Sequence, residues 1–139
     1  MVSGKSWTNL KSGLSTRKIT SGQKIDLLNY CVMSFITISK LTPKEIVPGF
    51  RGRFIHSQNM TVAYWDIQAG HSIPLHQHVH EMIVNVIRGK LELTIDTETR
   101  ILEAGMAAII PSHVPHTAKG ITDCFVIDVF HPVREDYRV

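Results

Sequence analysis

The sequence predicts an all-β fold, a sandwich or barrel of short strands, and three observations carry that prediction. β-prone segments recur about every eight to twelve residues, separated by turn residues. Residues 91–95 alternate apolar and polar with a period of two, the mark of a strand with one buried face. Beyond Met33 no segment keeps a helical period over three turns, and only 42–46 offers a short helical turn.

Taken in order, residues 53–56 and 60–67 are rich in β-branched and aromatic side chains and are split by Ser57, Gln58 and Asn59. Parity makes Tyr64 and Trp65 face opposite ways, and Arg53 and His56 likewise. Residues 82–87 run into a turn at Arg88, Gly89 and Lys90. The alternating segment 91–95 follows, then a turn at 96–98 and a strand at 99–102. Ala104 and Gly105 break the chain again. Residues 107–110 form a short strand of buried type, stopped by Pro111, which cannot donate to a ladder. Residues 124–130 close the series.

The chain has 139 residues, enough for one domain, and its 43% apolar content can supply a core. Its formal charge is +3 and its pI is about 9.0, but the charge is uneven. Residues 1–32 hold five basic residues and one acidic residue, whereas residues 33–139 hold ten basic and eleven acidic residues. The leader is rich in Ser, Thr, Gly and Lys, and 1–32 reads as a basic, poorly ordered extension ahead of a domain at 33–139. An organelle transit peptide has a similar composition. The near-neutral body carries no nucleic-acid-reading motif, so no nucleic-acid partner is expected. No run approaches the ~18 apolar residues of a membrane span, so no membrane partner is expected either. Cys31 and Cys124 lie far apart with no C-x-x-C pair, which excludes a disulfide framework and fits a cytoplasmic setting.

Four of the eight histidines fall in residues 71–80: His71, His76, His78 and His80. His76, His78 and His80 are spaced i, i+2, i+4 and would share one face of a strand. Neighbouring members would then lie ~6.6 Å apart at Cα, close enough to converge on one ion. His80 competes for a place in such a site, but a straight strand would put it ~13 Å from His76.

A second segment offers Gly105, Pro111, His113 and His116. The two segments together resemble the cupin family. Its first motif, G-x5-H-x-H-x3/4-E-x6-G, is matched by Gly70, His76, His78 and Gly89, and its second, G-x5-P-x-G-x2-H, by Gly105, Pro111 and His116. The likeness runs over residues 33–139 and is closest to small single-domain bacterial cupins. It implies a conical β-barrel of two antiparallel sheets holding a divalent metal on His76, His78 and His116.

Two positions depart from the family pattern. Met82 stands in the slot of the family's metal-binding Glu or Gln, with Glu81 beside it on the opposite parity. His113 stands where the second motif has a glycine. Met82 as a weak fourth ligand and Met82 as an apolar wall both remain open. A three-imidazole shell leaves the ion its full charge, so it favours an anionic ligand and suits Zn, Fe, Ni or Cu over Mg or Ca.

The C-terminal segment resembles that of cupins of the pectin-degradation type, which linearise unsaturated uronates. The resemblance implies Asp128 as a proton donor or acceptor, Phe130 against the substrate ring and Arg134 as a carboxylate clamp. A metal-dependent proton transfer or isomerisation on a small sugar-acid-like anion is the expected chemistry. The alternatives are a three-histidine iron dioxygenase and a non-catalytic small-molecule-binding cupin. A homodimer is expected, with the apolar run 35–38 as its edge or swapped strand.

Overall fold

The computed structural model describes residues 35–138. The expected extension at 1–32, with Cys31, lies outside them.

Ten strands follow in chain order: β1 (Lys44–Val47), β2 (Phe50–His56), β3 (Thr61–Ile67), β4 (Ser72–His76), β5 (Glu81–Arg88), β6 (Lys90–Ile95), β7 (Glu98–Glu103), β8 (Ala107–Ile110), β9 (His116–Gly120) and β10 (Cys124–His131). Two short 3-10 turns, Ile38–Lys40 and Glu135–Tyr137, flank them. All pairings are antiparallel. One sheet has the order β1-β2-β3-β10-β5-β8 and the other β4-β9-β6-β7.

The predicted all-β architecture of two antiparallel sheets is the observed one, and the period-two patterns decide what lies inside. In β3, Thr61, Ala63, Trp65 and Ile67 are buried while their neighbours are half-exposed. In β10, Cys124, Val126, Asp128 and Phe130 take the buried face. Met82, Val84 and Val86 do so in β5, and Leu91 and Leu93 in β6. These rows form the core cluster. Trp65, rather than Tyr64, is the core member of its pair.

Three expectations need correction. Residues 42–46 do not form a helical turn; Lys44–Val47 is an edge strand paired with β2, and Ile46 and Val47 pack against the core. Tertiary pairing outweighs the weak local preference. The histidine-rich segment is not one strand, because β4 ends at His76 and residues 77–80 form a loop. And the run 35–38 is not a strand: it leads into the 3-10 turn, with Phe35 95% exposed.

The motif glycines follow from backbone geometry. Gly89 sits at φ +89° in the β5–β6 turn, and a Cβ there would lie 2.3 Å from the Asp123 carbonyl oxygen. His113 adopts φ 63°, so this non-glycine residue takes the left-handed conformation that the motif's glycine serves.

Candidate metal centre

The site lies between the sheets, and the smaller sheet supplies its histidines. His76 is the last residue of β4 and pairs with His116, the first of β9. Their rings lie 4.3 Å apart between centroids. His78 comes from the loop after β4, with its ring 4.9 Å from His116 and 5.7 Å from His76. One ligand nitrogen from each of the three lies within 4.8 Å of the others.

The loop is held in place by the second motif. The His113 N–H donates to the His78 carbonyl at 2.8 Å, and the Ser112 hydroxyl donates to the Val79 carbonyl. The left-handed turn at His113 aims that N–H at the loop. His78 therefore reaches the cluster through a pinned bend rather than through strand parity.

The same backbone sets the histidine tautomers. The Nδ1 atoms of His76, His78 and His116 lie 2.8, 3.0 and 2.8 Å from the carbonyls of Pro74, His80 and Val114. A carbonyl only accepts, so each Nδ1 carries the proton and each Nε2 is left with a lone pair. His78 Nε2 is buried with no hydrogen-bond partner among the described residues. Burial, followed by the Arg134 and His116 charges, lowers the His78 pKa to about 4. Burial also lowers the His116 pKa, opposed by its bond to Val114 and helped by His76. Three neutral imidazoles with inward lone pairs form a donor set that fits a divalent transition metal.

His80 is turned elsewhere. Its Nε2 donates to the Val133 carbonyl at 3.2 Å, tying the loop to the C-terminal segment, and its backbone carbonyl orients His78. Met82 is buried on the inner face of β5 and lines the same cavity. Glu81 is exposed on the opposite face, as its parity predicts.

The larger sheet supplies the other wall. Asp128 lies on the inner face of β10, and Phe130 follows on the same face. Asp128 Oδ1 and the Trp65 indole nitrogen are both buried without a hydrogen bond of good geometry. Burial raises the Asp128 pKa to about 7, and the Trp65 N–H and the Arg134 charge oppose that rise only in part. The Arg134 guanidinium lies 5.1 Å from the centre of the Phe130 ring and 4.1 Å from that of Tyr137. Its Nε and Nη2 donate to the two carboxylate oxygens of Asp136 at 2.9 and 2.6 Å. The fork that the resemblance assigns to a substrate carboxylate is thus engaged by the chain's own carboxylate.

A match to the Cupin_2 family of cupin domains spans residues 63–130. The chain carries a cupin domain. The cupin is similar to KdgF from a Halomonas species, at 28% identity and a TM-score of 0.70, covering 73% of this chain and 97% of that one. It is also similar to an RmlC-like cupin from Shewanella frigidimarina, at 25% identity and a TM-score of 0.71, covering 74% and 94%. An uncharacterized protein of Streptomyces coelicolor is 25% identical over 87 residues, 63% of this chain and 71% of the relative.

Three further residues at the site escaped the sequence reading. Trp65 and Tyr137 line the cavity, and the Tyr137 ring lies 4.6 Å from that of Phe54. Asp136 engages Arg134. The signal for Trp65 was its parity. Nothing local distinguished Asp136 and Tyr137 from a polar tail.

Proposed function

We propose that this cupin is a metal-dependent enzyme that moves a proton on a small anionic substrate, an isomerase- or lyase-type reaction. The supporting observation is the pairing, across one cavity, of three inward-facing Nε2 atoms with a buried carboxyl whose pKa lies near neutrality. His76, His78 and His116 would hold a Zn, Fe, Ni or Cu ion. When bound, that ion supplies an electrophile that polarises a substrate oxygen.

The remaining roles belong to the chain's own groups. With a pKa of about 7, Asp128 is split between carboxylate and acid at physiological pH, so it can take a proton at Oδ1 and return it. Phe130 packs beside Arg134 and offers a face to the substrate. Arg134, itself buried, is held beside the Phe130 ring with its charge paired by Asp136. Tyr137 lines the cavity, with Phe54 packed against its ring. The resemblance to uronate-linearising cupins makes sugar acids the first class to assay, in a cytoplasmic setting.

The test is metal content by elemental analysis of the purified full chain. Near-stoichiometric zinc or nickel is expected, with at least a tenfold loss of affinity in His78→Ala and retention in His80→Ala. Metal retained unchanged in His78→Ala counts against the site. Iron together with substrate-dependent oxygen uptake replaces proton transfer by oxygen chemistry.

The homodimer is proposed on a different surface from 35–38. On the outer face of the six-stranded sheet, Ile55, Val62, Val129, Ile83 and Ile109 stand opposite one another from strand to strand. This apolar row crosses five strands, about 20 Å. Tyr64 and Ile127 extend it into the next row, and a contiguous apolar patch on a sheet face marks an interaction site. Light scattering is expected to report a dimer that Ile83→Lys dissociates; a wild-type monomer at micromolar concentration removes the idea.

A further inference from the structure

The cavity is small and mostly hydrocarbon. Its volume is about 50 Å³. By the same measure a cavity needs ~10–15 Å³ to admit a single water, so this one is small. Eleven of its 18 lining side chains are apolar, drawn from both sheets. Its polar groups are confined to the histidine cluster and to the patch around Asp128, Trp65, Arg134 and Tyr137. One of these arrives committed, since Asp136 occupies two nitrogens of Arg134, and Trp65 has a single donor to give. In the slot where a polar amide or carboxylate would face a hydroxylated ligand stands Met82, 5% exposed.

These features select against a polyhydroxylated ring. Each buried hydroxyl without a partner weakens binding by about tenfold, and the hydrocarbon lining offers no partners along its length. A hydrocarbon body meets no such loss and gains from burial.

We propose that the ligand of this cavity is a short-chain aliphatic 2-oxo acid, with its oxygens gathered at the histidine end and its hydrocarbon tail against the apolar lining. This rests on the proton-transfer reading and narrows its substrate class away from sugar acids. Such a ligand also supplies the C–H that Asp128 can act on. The Asp128 carboxylate takes the proton from C3, the C–H electron pair forms the C2–C3 double bond, and the carbonyl π pair moves onto oxygen. Return of the same proton to C3 or to oxygen closes the step, with no oxidant or reductant.

Ile73 provides a variant that spares the fold, because it is only partly buried and lies on β4, at the edge of its sheet. Isothermal titration calorimetry of the zinc-loaded full chain would compare 2-oxobutanoate with galacturonate, and proton NMR in D2O would follow exchange at C3. The expected result is at least tenfold tighter binding of 2-oxobutanoate. In Ile73→Phe, which fills the cavity, a tenfold loss of that affinity is expected with metal content unchanged. Galacturonate binding as tightly as 2-oxobutanoate, or neither binding to a metal-loaded protein, overturns the substrate class while leaving the metal site standing. A chain that takes up no zinc and binds neither acid overturns the functional reading as well.

Discussion

The two walls of the cavity are built on opposite plans. The histidine wall comes from strand ends and a loop of the smaller sheet, and every Nδ1 is satisfied by a backbone carbonyl. Its polarity is resolved except for the lone pairs that face inward. The Asp128 wall comes from the middle of a core strand in the larger sheet, and its carboxyl oxygen and the neighbouring indole N–H are buried without partners. Burial acts on both walls, pushing His78 down to about 4 and Asp128 up to about 7. It favours the neutral form of each. The result is a receptor for a cation on one side and a proton reservoir on the other.

The sharpest way to separate the walls is to disable one. Asp128→Asn keeps the shape of the core strand and removes the titrating proton. Turnover is expected to fall by about 10²–10⁴ with metal content intact. Unchanged turnover, followed in a substrate-depletion assay, would assign the proton chemistry elsewhere.

A second, smaller effect concerns stability against pH in metal-free protein. The Asp128 carboxyl keeps its proton to about pH 7 in the folded state, whereas the unfolded chain loses it near ~3.9. Between those values the folded state binds more protons, so this group makes stability fall as pH rises. His78 works in the opposite sense. Its folded pKa of about 4 lies below the unfolded ~6.5, so it costs stability as pH drops through that window. The two slopes oppose each other in the wild type. In urea titrations from pH 4 to 8, Asp128→Asn is expected to steepen the rise of stability with pH and to gain a few kcal/mol over wild type at pH 8. Parallel curves for the two proteins would mean that Asp128 is not held neutral by burial.

The smallest expected effect lies at the Arg134–Asp136 pair. Asp136, its side chain 57% exposed, occupies the fork of the buried Arg134. Asp136→Asn frees that guanidinium for an incoming carboxylate, and anion affinity by calorimetry is expected to rise several-fold. A fall in affinity would show that Asp136 serves to orient Arg134 rather than to compete for it.

Much of this was legible along the chain. Seven strands could be placed from β-prone composition, bounding turn residues and, at 91–95, clean alternation, and the spacing of Gly70, His76, His78, Gly105 and His116 pointed to the metal cluster before any fold was known. The reason offered for that spacing was incomplete. A straight strand carrying His76, His78 and His80 would have treated all three alike, but β4 ends at His76 and the loop is bent by bonds from Ser112 and His113, more than 30 positions away. The strand at Lys44–Val47 was illegible for a similar reason: its state is decided by β2 beside it.

By itself, then, the sequence determined the alternation that sorts side chains inward or outward, and the set of histidines able to meet. The first is a local property of a period-two backbone; the second was legible from the spacing that the chain shares with the two cupin motifs. Only the tertiary structure decided which nitrogen each histidine presents, that Arg134 is already paired with Asp136, and that Asp128 is buried beside Trp65 and Arg134. The partners in those hydrogen bonds lie two residues away along the chain, but the bends that bring them into reach and the burial of Asp128 are set by packing against residues distant in sequence, which no local pattern encodes.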